Sequence, residues 1–242
     1  MKNPKHKKLE LKTMKIGIIG AMESEIQLLR EYLGDPVPTQ LQRYAFYEGQ
    51  IGAHQVVVLL SGIGKVSAAV GTALLIDHFA PDLIINTGTA GGLQHSKVFD
   101  MVLATEVAYY DVDVTAFGYA LGQQAQMPAS YLPSERWFAQ AQASVARYTN
   151  QLHCAPIVSG DAFVSDPKKR QWIEAHFPKA VAVEMEAAAI AQTCYLLNIP
   201  FLILRAVSDN AGEGDTISYD TFVAQAAALS AQMNIDFIKN LV

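Results

Sequence analysis

Ile199-Pro200-Phe201-Leu202-Ile203-Leu204-Arg205-Ala206-Val207-Ser208-Asp209 is the stretch on which the reading of this chain turns. It runs from a proline into an apolar segment and delivers a Ser-Asp pair into a loop of small and acidic residues, Asn210 to Asp215. An apolar run of this length predicts a strand buried on both faces. In an open α/β sheet, ligands collect at the carboxyl ends of such strands. Asp209 therefore stands where chemistry is placed. Ser208 and Asp209 equally suit the start of a turn or a helix cap, so the remainder of the chain has to decide.

Outward from that stretch, the same pattern recurs. Lys15 to Gly20 (KIGIIG) predicts a buried strand that turns through Ala21-Met22-Glu23-Ser24-Glu25 into a helix with Ile26, Leu28, Leu29 and Tyr32 as its apolar positions. Glu23 and Glu25 fall in the first helical turn, where acids commonly offset the helix dipole. Arg43 to Gly49 and Gln55 to Leu60 predict a hairpin. Ser61-Gly62-Ile63-Gly64-Lys65 opens a helix over Val66 to Phe79. Asp82 to Asn86 predicts a strand ending in the loop Thr87-Gly88-Thr89-Ala90-Gly91-Gly92, whose glycines suit close approach of backbone to a polar ligand. Met101 to Tyr110 predicts a strand followed by an aromatic loop, 111–119, of the kind that closes a pocket or an interface. Residues 121–135 predict an irregular loop and Trp137 to Tyr148 an amphipathic helix. Ala155 to Val158 leads into Ser159-Gly160-Asp161-Ala162-Phe163-Val164, and Lys168 to His176 predicts a helix with Pro167 in its first turn. Val181 to Glu186 predicts a strand running into the helix Ala187 to Leu197. Two acids in that apolar strand, Glu184 and Glu186, point the same way at the strand period, and burial demands a partner for at least one. The last helix is expected from Ser218 as N-cap to Asn240, with Phe222, Ala226, Leu229, Met233 and Phe237 on one face. Strands alternating with helices imply a single α/β domain over 14–242, a mixed, mostly parallel central sheet flanked by helices.

The bulk properties narrow the function. The 242 residues are 51% hydrophobic and 17% charged, enough for one large core. A net charge of −5 speaks against a nucleic-acid-binding face. Cys154 and Cys194 lie in apolar surroundings and read as free thiols of a reducing compartment, although a single disulfide stays open. No apolar run reaches the ~18 residues that span a bilayer. Met1 to Thr13, basic and without a cleavage pattern, reads as a disordered extension, with Met14 as an alternative start. A cytoplasmic protein is expected.

Several familiar motifs fail. Gly17 and Gly20 are followed by Met22, which breaks the dinucleotide fingerprint, and Val66 occupies the Ser/Thr position that a phosphate loop requires after Gly64-Lys65. No Cys/His cluster has metal spacing, no nucleophile elbow is present, and neither a metal nor a cofactor is expected. Carboxylates at strand-to-helix junctions remain: Glu25, Glu186 and Asp209. Paired carboxylates without a metal suggest acid–base hydrolysis of an acetal-like bond.

GIIGAMESE at 17–25, SGIGKV at 61–66, NTGTAGG at 86–92, DVTAFGY at 113–119, SGDAFV at 159–164, VEMEAAAIA at 183–191 and RAVSDNA at 205–211 together resemble the 5′-methylthioadenosine/S-adenosylhomocysteine nucleosidases, within the nucleoside phosphorylase superfamily. The resemblance covers essentially the whole chain from Met14. It implies hydrolysis of the N-glycosidic bond of 5′-thio-substituted adenosines, extending to 5′-deoxyadenosine, with release of adenine, in methionine salvage and removal of methyl-cycle products. It implies that Asp209 protonates adenine N7, with Ser208 holding its carboxyl and Arg205 supporting the site. It gives Glu25 the attacking water and Glu186, beside Met185, the ribose hydroxyls. Phe163 would stack on adenine and the Val164 backbone bond its edge. Thr89, Met22 and Ile63 would line the ribose and alkylthio region. Thr89 stands where the family often has serine, and Tyr219 where phenylalanine is common. Phe117 and Tyr119 would reach across a homodimer interface into the partner's site. The chemistry agrees: adenine leaves as an anion unless protonated, and the sugar becomes cation-like. A buried strand end is the usual place for an acid to keep its proton.

Two readings compete on the same fold. A purine nucleoside phosphorylase would want arginines in its glycine loops, and a carboxylate such as Glu25 would repel phosphate. A preference for an aminofutalosine-type 5′ substituent stays open. A non-catalytic nucleoside-binding module would have no use for all three carboxylates.

Overall fold

A computed structural model describes residues 13–145, 151–212 and 216–241, the side chains of 216–221 excepted. Its strands are β1 (Lys15–Gly20), β2 (Thr39–Leu41), β3 (Tyr44–Ile51), β4 (His54–Leu60), β5 (Leu83–Gly92), β6 (Met101–Tyr109), β7 (Leu152–Ser159), β8 (Ala182–Glu184) and β9 (Phe201–Asn210). The helices are α1 (Glu23–Tyr32), α2 (Lys65–Phe79), α3 (Glu135–Val145), α4 (Pro167–His176), α5 (Ala187–Leu196) and α6 (Thr216–Lys239), with a 3-10 turn at Thr115–Phe117. The strands form one 9-stranded sheet in the order β2-β3-β4-β1-β5-β8-β7-β6-β9. It is mixed. β1 lies parallel to both β4 and β5, and β7 parallel to β6 and β8, whereas β8 meets β5 and β9 meets β6 antiparallel. β9 also pairs with β5 in parallel, so β5, β8, β7, β6 and β9 close into a ring from which β1, β4, β3 and β2 extend.

Strand alternation sorts the core. Ile16 and Ile18 of β1, with Leu202, Leu204 and Ala206 of β9, pack under α1, α3 and α6 against Ile26, Leu29, Trp137, Met233 and Phe237. Ile19, Val57, Leu59 and Ile203 face the other way, towards Leu75 and Phe79 of α2 and Ile190 and Cys194 of α5. Each such buried aliphatic side chain contributes about 1.5–3 kcal/mol. α2 lies so close to β1 that a Cβ on Gly17 would meet Leu75 Cδ2 at 2.5 Å. Both cysteines are free; Cys194 is buried, which pushes its thiol pKa up, while Cys154 is only partly covered. No helix among the described residues is long and apolar enough to cross a membrane.

Some sequence-based expectations change. The segment 87–92 is not a loop: β5 runs through it to Gly92, because β9 supplies partners for the whole run and β8 for Gly91 and Gly92. The register with β9 shifts between Ala90 and Gly91, a bulge that glycine accommodates. β8 stops at Glu184, and Glu186 is the N-cap of α5 rather than a strand residue. α6 is helical from Thr216, so Ser218 is not its N-cap. Tyr32 lies exposed rather than in the core. The edge strand β2 had no sequence signal. The expected extension 1–13 falls outside the described residues but for Thr13, as do 146–148 of the helix expected to Tyr148.

Candidate active site

β1, β5 and β9 are parallel neighbours, so their carboxyl ends open on one rim, where β8 joins β5. A cavity of about 450 Å³ opens there. That lies within the ~300–1,000 Å³ usual for small-ligand sites.

Glu25 enters from the first turn of α1 and is 1% exposed. Its Oε2 accepts the N–H groups of Ala21 (2.8 Å) and Met22 (3.2 Å), the carboxylate half of a capping box. Its Oε1 accepts the Thr89 N–H at 2.8 Å and the Thr89 hydroxyl at 3.1 Å. Completing the helix terminus and lining the cavity are thus compatible roles. The close approach of Glu25 to β5 depends on Gly88, whose φ is +142°. A Cβ there would lie 2.5 Å from Arg205 Nη1 and closer still to the Glu25 carboxylate.

Arg205 is buried and ties the carboxylates together. Its Nη2 donates to Asn86 Oδ1 (2.8 Å), Glu184 Oε2 (2.5 Å) and Glu186 Oε2 (3.2 Å). Its Nη1 donates to the Thr89 carbonyl at 3.1 Å and lies 3.7 Å from Glu25 Oε1. Burial alone would weaken its hold on the proton, but Glu184, Glu186 and Glu25 outweigh burial and raise its pKa. Glu184 carries most of the local framework. It accepts the Ser159 hydroxyl through a short hydrogen bond and the N–H groups of Glu186 (2.9 Å) and Ala187 (2.8 Å). Ser159 in turn accepts the Ala188 N–H at 2.8 Å. The open N-terminus of α5 is satisfied in this way by two side chains from neighbouring strands. Glu186 accepts the Gly64 N–H at 2.9 Å. Three buried carboxylates share one guanidinium. Burial, with Glu184 and Glu25 adding to it, pushes Glu186 up to about 7 against the pull of Arg205. A buried partner was expected for at least one of Glu184 and Glu186, and both have Arg205; they do not share a strand face, since Glu184 ends β8 and Glu186 caps α5.

Asp209, 7% exposed, ends the buried run of β9. The Ser208 hydroxyl donates to its Oδ2 at 2.9 Å. A Cβ on Gly91 would stand 3.3 Å from Asp209 Oδ1, so that glycine leaves room for the carboxyl. Around these groups the wall is apolar: Met22, Ile63, Phe163, Val164 and Met185. Phe163 and Ile63 are half-exposed, 49% and 55%, so the cavity has an open side. The Val164 carbonyl is taken by the Gly212 N–H at 2.7 Å.

The fold thus brings Met22, Glu25, Ile63, Thr89, Phe163, Val164, Met185, Glu186, Arg205, Ser208 and Asp209 onto one cavity. Thr89 spends its hydroxyl proton on Glu25. Phe117 and Tyr119 do not line this chain's cavity; Phe117 is 81% exposed. The Tyr219 side chain lies outside the described residues. Sequence reasoning did not assign Glu184 to the site, although an acid in an apolar strand was its signal. It also missed the small residues Ala21, Ala162 and Ala211, which line the cavity with little more than backbone, whereas Ala90 and Gly91 belong to the run 87–92 that was expected to approach a ligand closely. Among the described residues, no group of three or more His, Cys, Asp or Glu side chains could hold a metal ion.

The same arrangement of chain is found in known proteins. Residues 15–239 match the model of the phosphorylase superfamily. A 5′-methylthioadenosine/S-adenosylhomocysteine nucleosidase from an Exiguobacterium species is 48% identical over 230 residues, covering 94% of this chain and 99% of that one. The Neisseria meningitidis nucleosidase, solved with methylthio-immucillin-A, superposes with a TM-score of 0.91 at 48% identity, over 94% of this chain and all (100%) of the other. The Colwellia psychrerythraea enzyme, solved with adenine, gives 0.91 at 41% identity, over 96% and 98% of the two chains. Identity of this extent along the whole fold assigns the chain, within the phosphorylase superfamily, to the 5′-methylthioadenosine/S-adenosylhomocysteine nucleosidases.

Proposed function

We infer that this protein hydrolyses the N-glycosidic bond of 5′-methylthioadenosine and S-adenosylhomocysteine, releasing adenine and the 5-substituted ribose. The observation that carries the reading is the convergence of Glu25, Glu186 and Asp209 on one largely apolar cavity at the carboxyl ends of parallel strands. Asp209 is the general acid: it delivers a proton to adenine N7 so that the base leaves neutral. Ser208, bonded to its Oδ2, fixes the carboxyl's orientation. Glu25 receives the proton of the attacking water; the Thr89 donors and Arg205 hold its Oε1 and the Ala21 and Met22 N–H groups its Oε2. Glu186 pairs with the ribose hydroxyls and counters the charge that develops on the sugar. Phe163 offers adenine its face, the Val164 backbone meets the edge of the base, and Met22, Ile63, Thr89 and Met185 line the ribose and thio tail.

Water, rather than phosphate, is the nucleophile. Glu25, Glu184 and Glu186 stand around a single buried guanidinium, and a phosphate dianion would add repulsion there. The open side of the cavity favours a homodimer. Ile63 in the turn before α2, Val66 and Val70 on α2, Tyr195 and Leu196 at the end of α5, Leu132 on a loop and Phe117 in the 3-10 turn are all exposed apolar side chains. In such a dimer Phe117 and Tyr119 of each copy would reach the opening of the other's cavity. A cytoplasmic location fits two free thiols and an enzyme of this substrate class.

The test is chromatographic. Methylthioadenosine incubated with the protein should yield adenine and free methylthioribose at a rate indifferent to added phosphate. A rate that rises with phosphate, with methylthioribose 1-phosphate as product, would overturn the reading.

A further inference from the structure

We propose that Lys65, Asp111 and Asp161 form a clamp that positions the base-side wall of the cavity, a role that rests on the reading of Phe163 as the surface on which adenine stacks. Three separate loops meet at this cluster: the turn 61–64 before α2, the loop that leaves β6, and the loop 160–164 that leaves β7. The bonds among them close a ring. The Lys65 N–H donates to Asp161 Oδ1 at 2.8 Å, the Asp161 N–H donates to Asp111 Oδ2 at 2.9 Å, and Lys65 Nζ donates to that same Oδ2 at 2.8 Å. Lys65 Nζ also lies 3.7 Å from Asp161 Oδ2 and 5.3 Å from the centroid of the Tyr109 ring.

The glycines beside the ring are shaped for it. Gly64, at φ +92°, would place a Cβ 3.1 Å from Asp161 Oδ1. Gly160 would place one 2.9 Å from Asp111 Cγ and 2.5 Å from the Tyr110 ring. Side chains at either position would push the loops apart. The ring reaches the cavity at two points. Phe163 follows Asp161 by two residues and is half-exposed at the cavity mouth. The Gly64 N–H, one residue before Lys65, donates to Glu186.

Partly exposed ion pairs add little to stability. The value of this one lies in geometry: charge-assisted bonds to two backbone N–H groups lock the relative placement of loops that carry Ile63 and Phe163. Asp209 and Glu25 are held by β9 and α1 and do not depend on it, and Glu186 keeps its bond from Arg205 when the Gly64 contact slackens. Loosening the clamp therefore affects how well the base is gripped rather than how its bond is broken.

Lys65→Met, Asp111→Asn and the double variant test this, alongside Lys65→Arg. Adenine binding is followed by calorimetry and methylthioadenosine turnover by adenine release. Lys65→Met and Asp111→Asn should each weaken adenine binding and raise KM about tenfold, a fraction of what base–aromatic stacking supplies, with kcat within about threefold of the parent. The double variant should be no worse than either single change by more than about threefold, because both break one ring. Lys65→Arg should recover most of the loss. Adenine affinity and KM within about twofold of the parent in a folded Lys65→Met or Asp111→Asn protein would overturn the clamp, as would a fall in kcat at unchanged KM. Should Lys65→Met fail to fold, Asp111→Asn carries the same two outcomes. If the parent binds adenine yet does not hydrolyse methylthioadenosine, the nucleosidase reading fails while the adenine measurement still decides the clamp.

Discussion

Replacing Glu186 by glutamine should make the unliganded protein more stable at alkaline pH while impairing the enzyme. Glu186 is buried beside Glu184 and Glu25, with Arg205 and the Gly64 N–H opposing them, and its pKa rises from 4.5 to about 7. The unfolded chain releases this proton near the lower value and the folded chain near the higher one. Between pH 4.5 and about 7 the native state therefore holds more proton, and stability falls as pH rises through that window, then levels off. At 1.36 kcal/mol per unit, ionising Glu186 costs the fold about 3 kcal/mol once the pH is above 7, of which about 2–3 kcal/mol accrues between pH 5 and pH 8. Glutamine has no proton to lose. At pH 5, where Glu186 in the native protein is neutral, the two proteins should be of similar stability. By pH 8 the variant should lead by about 2–3 kcal/mol, or roughly 5–10 °C in Tm. Urea unfolding at pH 5, 6, 7 and 8, without ligand, measures the gap. Affinity for substrate should fall, since an amide is a poorer partner for the ribose hydroxyls. A variant that loses stability relative to the parent as pH rises would refute the reasoning. It would mean that Arg205 wins over burial and that Glu186 is held as a stabilising anion.

The remaining predictions follow from the same site. Asp209→Asn should keep the fold, since β9 sets the backbone, and should lose at least ~10²-fold in kcat with a much smaller change in ligand affinity; parent-like hydrolysis of methylthioadenosine would remove Asp209 from the acid role. Glu25→Gln should still bind adenine yet lose ~10²–10⁴-fold in turnover, and single-turnover adenine release measures it. Gly88→Ala should cost about 3 kcal/mol or more in urea unfolding, because its Cβ would wedge between the buried Glu25 and Arg205 groups. Phe117→Ala with Tyr119→Ala should raise KM about tenfold with little change in kcat, and a fully active monomer in sedimentation would dismiss their role in a partner's site.

The apolar run of β9, the β1–α1 unit and the helix α2 were legible because their signals are local. Periodicity and the glycines at strand ends specify them within a dozen residues. The candidate site carboxylates were legible for a related reason: Asp209 lies at a strand end and Glu25 in the first helical turn after one, where ligands gather, and the motif resemblance proposed their roles. The glycine run 87–92 was another matter. Glycine has no strand preference of its own, and the run is a strand only because β9 and β8 offer it hydrogen bonds from about 120 and 90 residues away. The halt of β8 at Glu184 was likewise invisible, since Glu184 and Ser159 cap α5 only once β7 lies alongside.

Sequence by itself determined which segments are strand or helix in most of the chain, and which carboxylates stand at strand ends. Tertiary structure alone decided that the sheet closes through β5 and β9, and that Arg205 collects Glu184, Glu186 and Asn86 while standing 3.7 Å from Glu25. It alone decided that Glu186 holds its proton more tightly than a free carboxylate does. The physical reason is that hydrophobic pattern is written in neighbouring residues, whereas the charge state of a buried acid depends on groups that only the folded chain brings within reach.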